Sequence, residues 1–423
     1  MVHSKPSAMI CLCLLLAATH LVAQSLPFRS PAETGMDASQ LRRIEQEVGE
    51  AMDAKELAGA VTLVLHHGNI VHLEAHGWQN LEGHIPMQAD TVFRIYSMTK
   101  PIIATAVMML VEAGHLDLDL PVASYLPELK GLMVFDKRGN RPPQRAPTLR
   151  DLLRHTAGMT YGYFGNTPVD DQYRQARILD RDQDSKTFLN KVAGLPLLYD
   201  PGEKWVYSIA VDVQGVLVEA VSGLRLDAFL KKHLFQPLGM KDTGFEVPRE
   251  KAHRLACYYG SDLELRESAE DSPYLKRPTF LSGGGGLVST AMDYAHFVQM
   301  LINGGTLFGQ RLLKTESVEA MTRNQLPSDR FPEGIGGSRE GLGFGLGVSV
   351  VLQPGPALPD ARKDEYGWDG IASTHFWVSP ADKLAVITME QTQPFSKTLI
   401  GRLKGPIYGA LQPSKHPAWQ TKP

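Results

Sequence analysis

Cysteine is nearly absent from this chain, and that absence sets the first constraint. Of the three cysteines, Cys11 and Cys13 fall in an apolar leader-like stretch, which leaves Cys257 alone in the remainder. A single thiol forms no internal disulfide, so the core must hold the fold unaided. An excess of positive charge is missing too: 43 Lys and Arg stand against 46 Asp and Glu, a formal net charge of -3. Without a basic footprint, nucleic acid is excluded as the expected partner. No G-x-S-x-G elbow occurs, which argues against a Ser-His-Asp α/β-hydrolase. No H-E-x-x-H occurs either, so the histidines at 66, 67, 72, 76 and 84 do not spell a zinc hydrolase. His72 and His76 read instead as solvated residues sharing a strand face. The glycine run 283–286 lacks the Lys-Ser/Thr of a phosphate loop and reads as a turn with close strand packing, with Thr290 and Asp293 capping the next helix. Neither a metal nor a cofactor is expected.

The apolar run from Met9 to Ala18 is preceded by Lys5 and followed by small residues at Val22 and Ala23. It is shorter than the ~20 residues needed to cross a bilayer and is interrupted by His20. The order is that of a secretory signal peptide over 1–23, implying an exported, periplasmic or extracellular protein with no integral membrane segment once the leader is removed. The oligomeric state is left undetermined.

The rest of the 423 residues is long enough for a sizeable core. Leu41, Ile44, Val48 and Met52 have helical spacing, whereas Ala60–Leu65 and Ile70–Ala75 flank His67-Gly68-Asn69 as a hairpin. Ser97 to Gly114 reads as a long apolar helix, and Pro101 is acceptable there only in a first turn, so the helix must begin close to Ser97. Helical patterns dominate from about Leu116 to Phe245. Strand signals return at Gly286–Val288, Gly345–Val351, Ser373–Val378 and Leu384–Met389. Sheet at both ends around a helical middle predicts an α/β body over 24–115 and 250–411, a helical lobe over 116–249, a flexible tail over 412–423, and a site in the cleft between the lobes.

Ser97-Met98-Thr99-Lys100 is the only Ser-x-x-Lys in the chain. A hydroxyl needs a neighbouring base before it attacks, and residues three apart on a helix can touch. At the helix N-terminus a free backbone N–H and the positive dipole end would also face a developing oxyanion. The bland alternative makes Ser97 an N-cap and Lys100 a solvated first-turn residue. Cations are disfavoured at that helix end, however, and burial there would lower the amine's pKa and make it a base.

Phe93-Arg94-Ile95-Tyr96-Ser97-Met98-Thr99-Lys100-Pro101 resembles the first active-site motif of the serine β-lactamase and penicillin-binding-protein superfamily, in the form of its class C-like esterase branch, the family VIII carboxylesterases. The likeness continues through Gly114-His115-Leu116-Asp117-Leu118-Asp119 with Tyr125-Leu126-Pro127, through Leu153-Arg154-His155-Thr156-Ala157-Gly158-Met159, through Pro201-Gly202-Glu203-Lys204-Trp205-Val206-Tyr207-Ser208, and through Gly283 to Thr290, all in the family's order.

The resemblance implies an antiparallel sheet flanked by helices with an inserted all-α lobe, and acylation of Ser97 with Lys100 as base. It also puts Tyr207 in the second motif, where a phenol can relay protons, though a core tyrosine bonded through its hydroxyl would look the same. Ile209 stands where β-lactamases and peptidases usually present Asn, and it cannot hydrogen-bond an amide. Gly367-Trp368-Asp369-Gly370-Ile371 takes the place of the third motif. Trp368 carries no cation there, Asp369 departs from both the lactamase and the esterase patterns, and the Ile371 N–H would complete the oxyanion hole with that of Ser97. Trp368, Asp369, Gly370 and Ile371 are thus the candidate substrate-binding residues. His155 to Gly158 reads as a turn that structures the helical lobe. Tyr161, Tyr163 and Phe164 either line an acyl or alcohol pocket or pack a loop.

The expected reaction is hydrolysis of small carboxylic esters. β-Lactam hydrolysis, D-Ala-D-Ala peptidase or acyl-transfer activity, and a non-catalytic binding role remain as alternatives.

Overall fold

A computed structural model of the chain describes residues 25–327, 341–355 and 360–412. The leader over 1–23 and nearly all of the tail lie outside the described residues. Among those described, no helix is long and apolar enough to cross a membrane.

Eight antiparallel strands form the sheet. Three come from the N-terminal part, β1 (Gly59–His66), β2 (Asn69–Asn80) and β3 (Ile85–Pro86). Five come from the C-terminal part, β4 (Leu342–Phe344), β5 (Ser349–Val351), β6 (Tyr366–Gly370), β7 (Thr374–Ser379) and β8 (Leu384–Met389). Their spatial order is β4-β5-β6-β7-β8-β1-β2-β3, so the two ends of the sequence meet where β1 pairs with β8. The β1–β2 hairpin turns through His67 and Gly68, whose φ values of 50° and 78° give the doubly left-handed turn that suits strand twist.

Both faces of the sheet are covered, which is why β1 is buried along its whole length. Alternation sorts its side chains. Val61, Leu63 and Leu65 join the large core with Phe376, Ile387 and the helix Ala291–Ile302, whereas Ala60 and Val64 join Trp377 and Val386 beneath the terminal helices Arg43–Asp53 and Thr398–Gly409.

The region read as one strand over Gly345–Val351 is instead a turn leading into β5, with β4 just before it. Gly347 at φ 100° breaks the run, and apolar alternation alone could not show that. His72 is buried rather than solvated. Its Nε2 lies 2.7 Å from Thr62 Oγ1 on the adjacent strand, and burial lowers its pKa to about 4. Among the described residues, no group of three or more His, Cys, Asp or Glu could hold a metal ion.

A two-stranded pairing outside the main sheet matters most for the site. Phe93–Arg94 pairs antiparallel with Val288–Ser289, and Ile95 N donates to Leu287 O at 3.1 Å. This lays the glycine run beside the turn that carries Ser97. Arg94 is fully buried and donates to Glu267, to Ala256 O (2.6 Å), to Gln391 Oε1 (3.0 Å) and to Ser272 Oγ (3.1 Å). Removing one partner of a buried ion pair leaves the other charge uncompensated. Glu267→Ala is therefore expected to lower unfolding free energy by about 3 kcal/mol in urea titration; a midpoint within error of the parent would show that Arg94 is adequately held by its neutral partners.

Candidate active site

The Ser97 turn is built from local strain and long-range anchors. Tyr96 opens the short 3₁₀ turn Tyr96–Met98 at φ 40°, a left-handed conformation that is uncommon for a residue with a bulky side chain. Its ring is fixed between Tyr258 and Tyr274, at centroid distances of 6.2 and 6.5 Å. The helix α1 (Thr99–Glu112) then starts directly, with Pro101 in its first turn, as the sequence required. Tyr294 OH donates to Met98 O (2.9 Å) and Leu287 N to Thr99 Oγ1 (3.1 Å), so the entry to the helix is tied down from two directions.

Three side chains converge on this turn. Lys100 Nζ is 3.0 Å from Ser97 Oγ, and Tyr207 OH donates to the same oxygen at 2.6 Å. Lys100 also donates to Gly284 O at 2.6 Å and lies 4.5 Å over the Tyr207 ring. It is only 1 % exposed, which removes the solvated first-turn reading. Burial, partly offset by the nearby Asp212 carboxyl, lowers its pKa to about 7, so its uncharged amine is well populated near neutral pH.

Asp212 is the residue that sequence reasoning missed. It sits in the first turn of α2 (Ala210–Ser222), five residues after Tyr207, and is fully buried. It accepts from Ser282 Oγ (2.5 Å) and Gly284 N (3.0 Å), thereby anchoring the residue whose carbonyl accepts from Lys100. Burial pushes its carboxyl above the usual range, against these hydrogen bonds and Lys100. A Cβ on Gly284 would lie 2.4 Å from both Asp212 Oδ2 and Tyr161 OH, so this position admits only glycine. An acidic residue one turn into a helix after the Tyr207 block was the available signal.

Tyr207 is wedged among Trp205, His155, Tyr161, Phe164 and Trp368, with ring centroids 5.0 to 6.0 Å away. His155 therefore does more than shape a turn: buried, with Nδ1 3.3 Å from Ser208 Oγ, it supports the face of the phenol. Burial and then Lys100 hold its pKa well below the ordinary histidine value, so it stays neutral.

The third motif lies on a late strand beside Ser97: Gly367 to Gly370 are in β6, and Ile371 follows directly. Gly370 passes so close to the Ser97 segment that a Cβ there would be 2.5 Å from Ile95 O. Trp368, Asp369, Gly370 and Ile371 line one cavity of about 350 Å³ together with Ser97 and Tyr207. Tyr161, Tyr163 and Phe164 line it too, which decides between the two readings of that loop. Asp369 is engaged from two sides, by His375 Nδ1 at 2.8 Å and Lys397 Nζ at 2.9 Å. Burial would raise its pKa, but Lys397 and His375 outweigh it and hold the carboxyl well below the usual carboxylate range. Ile209 is fully buried at the N-cap of α2 and offers the cavity no polar group.

The arrangement can deprotonate a serine hydroxyl, move the proton through an amine and a phenol, and hold an apolar group in an aromatic pocket. Comparison with known proteins agrees in kind. The Beta-lactamase family profile matches residues 44–403. Protein Rv1367c of Mycobacterium tuberculosis is 34% identical, the match covering 83% of this chain and 90% of that protein. Esterase EstB of Burkholderia gladioli is 31% identical over 86% of this chain and 93% of its own. Among solved structures, EstCE1, described as a hydrolase with promiscuous acyltransferase activity, superposes with a TM-score of 0.77 at 26% identity, covering 88% of this chain and 99% of that one. With its antiparallel sheet, flanking helices and serine-lysine-tyrosine cluster, the chain belongs to the β-lactamase family of serine hydrolases and acyltransferases, on its class C-like side.

Proposed function

We propose that the protein is an exported esterase that cleaves small carboxylic esters through an acyl-enzyme on Ser97. The observation that carries this reading is the contact of Ser97 Oγ with both Lys100 Nζ and Tyr207 OH inside an aromatic-lined cavity. Ser97 Oγ attacks the ester carbonyl carbon, and its proton passes to Lys100, directly or by way of the Tyr207 oxygen. The tetrahedral oxyanion is met by the backbone N–H groups of Ser97 and Ile371, each worth about 3 kcal/mol in such sites. Collapse breaks the bond to the alcohol oxygen, which takes the proton back from the Lys100–Tyr207 pair. Water, deprotonated by the same pair, then releases the acid and restores Ser97.

Esters are favoured over β-lactams and peptides by what the cavity lacks. Ile209 offers no hydrogen bond to an amide, and the third motif presents Trp368 and an ionised Asp369 in place of a cation for a substrate carboxylate. EstB carries the name of an esterase at 31% identity, which supports the same choice. Acyl transfer is the second reading. The aromatic lining favours an apolar alcohol as acceptor, and EstCE1 is described as having acyltransferase activity beside hydrolysis.

Ser97→Ala is expected to abolish ester turnover and labelling by a fluorophosphonate, read by mass spectrometry of the intact protein; retained turnover would reject the mechanism. Tyr207→Phe should reduce kcat on the order of 10²-fold or more while the fold persists, as loss of a proton relay does. Because Lys100 acts uncharged, kcat/KM should fall as pH drops through about 7. Asp212 raises the lysine's pKa, so Asp212→Asn should move that acidic limb to lower pH, and a shift upward or none at all would contradict the assigned coupling. N-terminal sequencing of protein recovered outside the cytoplasm is expected to start near Gln24.

A further inference from the structure

Only two charged side chains contribute to the cavity wall among the described residues, and they differ in how they are satisfied. Asp369 is paired with Lys397 Nζ at 2.9 Å and hydrogen-bonded to His375 Nδ1 at 2.8 Å. Arg181 stands among Tyr163, Phe164, Leu179 and Tyr274 and forms no ion pair among the described residues. Its guanidinium lies over the Tyr274 ring, 4.6 Å from the centroid, and one Nη2 donates to Pro273 O at 3.2 Å. Its own backbone carbonyl accepts from Thr279 N and Phe280 N, both at 3.1 Å, so the main chain at this position is held independently of the side chain. The contrast is Arg94, whose donors are consumed by Glu267 and three other partners in the interior.

A guanidinium carries five N–H donors in a planar fork, more than Pro273 O and the Tyr274 side chain engage here. A ligand that fills the cavity strips water from the remaining donors. A neutral ligand leaves them unpaired, whereas a carboxylate accepts two of them side by side. Asp369 is already engaged by Lys397 and His375 and offers an anion nothing, which leaves Arg181 as the charged wall residue that can pair with one.

We propose that Arg181 is a specificity determinant that binds a carboxylate on the substrate, remote from the scissile ester, and that the preferred substrates are therefore carboxylate-bearing esters. The inference rests on the reading of Ser97 as an esterase nucleophile. The carboxylate can sit on the acyl part or on the alcohol part, and matched substrate pairs separate the two. Monoethyl succinate against ethyl pentanoate places the charge on the acyl side; 4-acetoxybenzoate against 4-tolyl acetate places it on the alcohol side.

The readout is the ratio of kcat/KM for the charged to the neutral member of each pair, in the wild type, Arg181→Ala and Arg181→Lys. In at least one pair the wild type should favour the charged ester, with a ratio that declines as salt is raised. Arg181→Ala should lower that ratio on the order of tenfold, and Arg181→Lys, which keeps the charge but loses the fork, should lower it less. Ratios unchanged by Arg181→Ala in both pairs would overturn the assignment, as would a wild type indifferent to charge, even with neutral esters hydrolysed in a Ser97-dependent manner. Absence of turnover for every ester, in contrast, would count against the nucleophile itself.

Discussion

The structure turns on a lysine amine taken out of water. Burying an ammonium is costly unless it is paired, and Lys100 meets a backbone carbonyl, a hydroxyl and the faces of two tyrosine rings rather than a direct carboxylate partner. With the pKa lowered to about 7, a large share of the amine is uncharged near neutral pH, and in the proposed mechanism that is what gives Ser97 its base. Everything nearby serves to keep the amine in place while leaving it unneutralised. Asp212 is close enough to moderate the shift, yet its Oδ1 accepts from Ser282 and the Gly284 amide and its Oδ2 from Tyr161 OH. Had it reached Lys100 directly, the pair would have locked as an ion pair and the lysine would have ceased to be a base.

What was legible in the sequence follows from the range of each interaction. Ser97, Lys100 and Pro101 lie within one helical turn, so their relation could be read from spacing alone, and the His67-Gly68 hairpin declared itself through its turn residues. The carbonyl of Gly284 lies 184 positions from Lys100, and no local periodicity can announce that contact. The glycine run read correctly as a turn with close packing, but its role in holding the amine depends on Asp212 and Tyr161 filling the space where a Cβ would go. Tyr207 was located through the order of the motifs. Its partners Trp205, His155 and Trp368 come from separate parts of the chain, and only the assembled fold shows that they fix its ring.

The third strand shows how a substituted motif can keep its geometry and change its electrostatics. Gly370 still lets β6 approach the serine segment closely, so the backbone framework of the site is preserved. Trp368 carries no charge where the lactamase pattern has a cation, and the next residue, Asp369, adds a carboxylate against which His375 and Lys397 pack. That carboxylate is consequently held ionised even though it is buried. A carboxylate-bearing substrate thus finds no attractive partner at the strand, and the other charged residue of the cavity wall, Arg181, forms no ion pair among the described residues.

The proposed preference for an ester follows from the leaving group and from the polar groups an amide would bring. Expelling an alkoxide from a tetrahedral intermediate needs less help from a proton donor than expelling an amine, since the alcohol is much the better leaving group. An amide substrate also brings an N–H and a carbonyl that must find partners once water is removed, and each unmet group costs about 1–3 kcal/mol. Around Ser97 the wall opposite the nucleophile is aromatic, and the residue at the helix start, Ile209, is apolar and fully buried. An ester presents no donor that such a wall would leave unpaired, and its developing charge is the one that the proposed pair of backbone N–H groups, at Ser97 and Ile371, would meet. The proton traffic then falls to one amine and one phenol, both already within 3.0 Å of the serine oxygen.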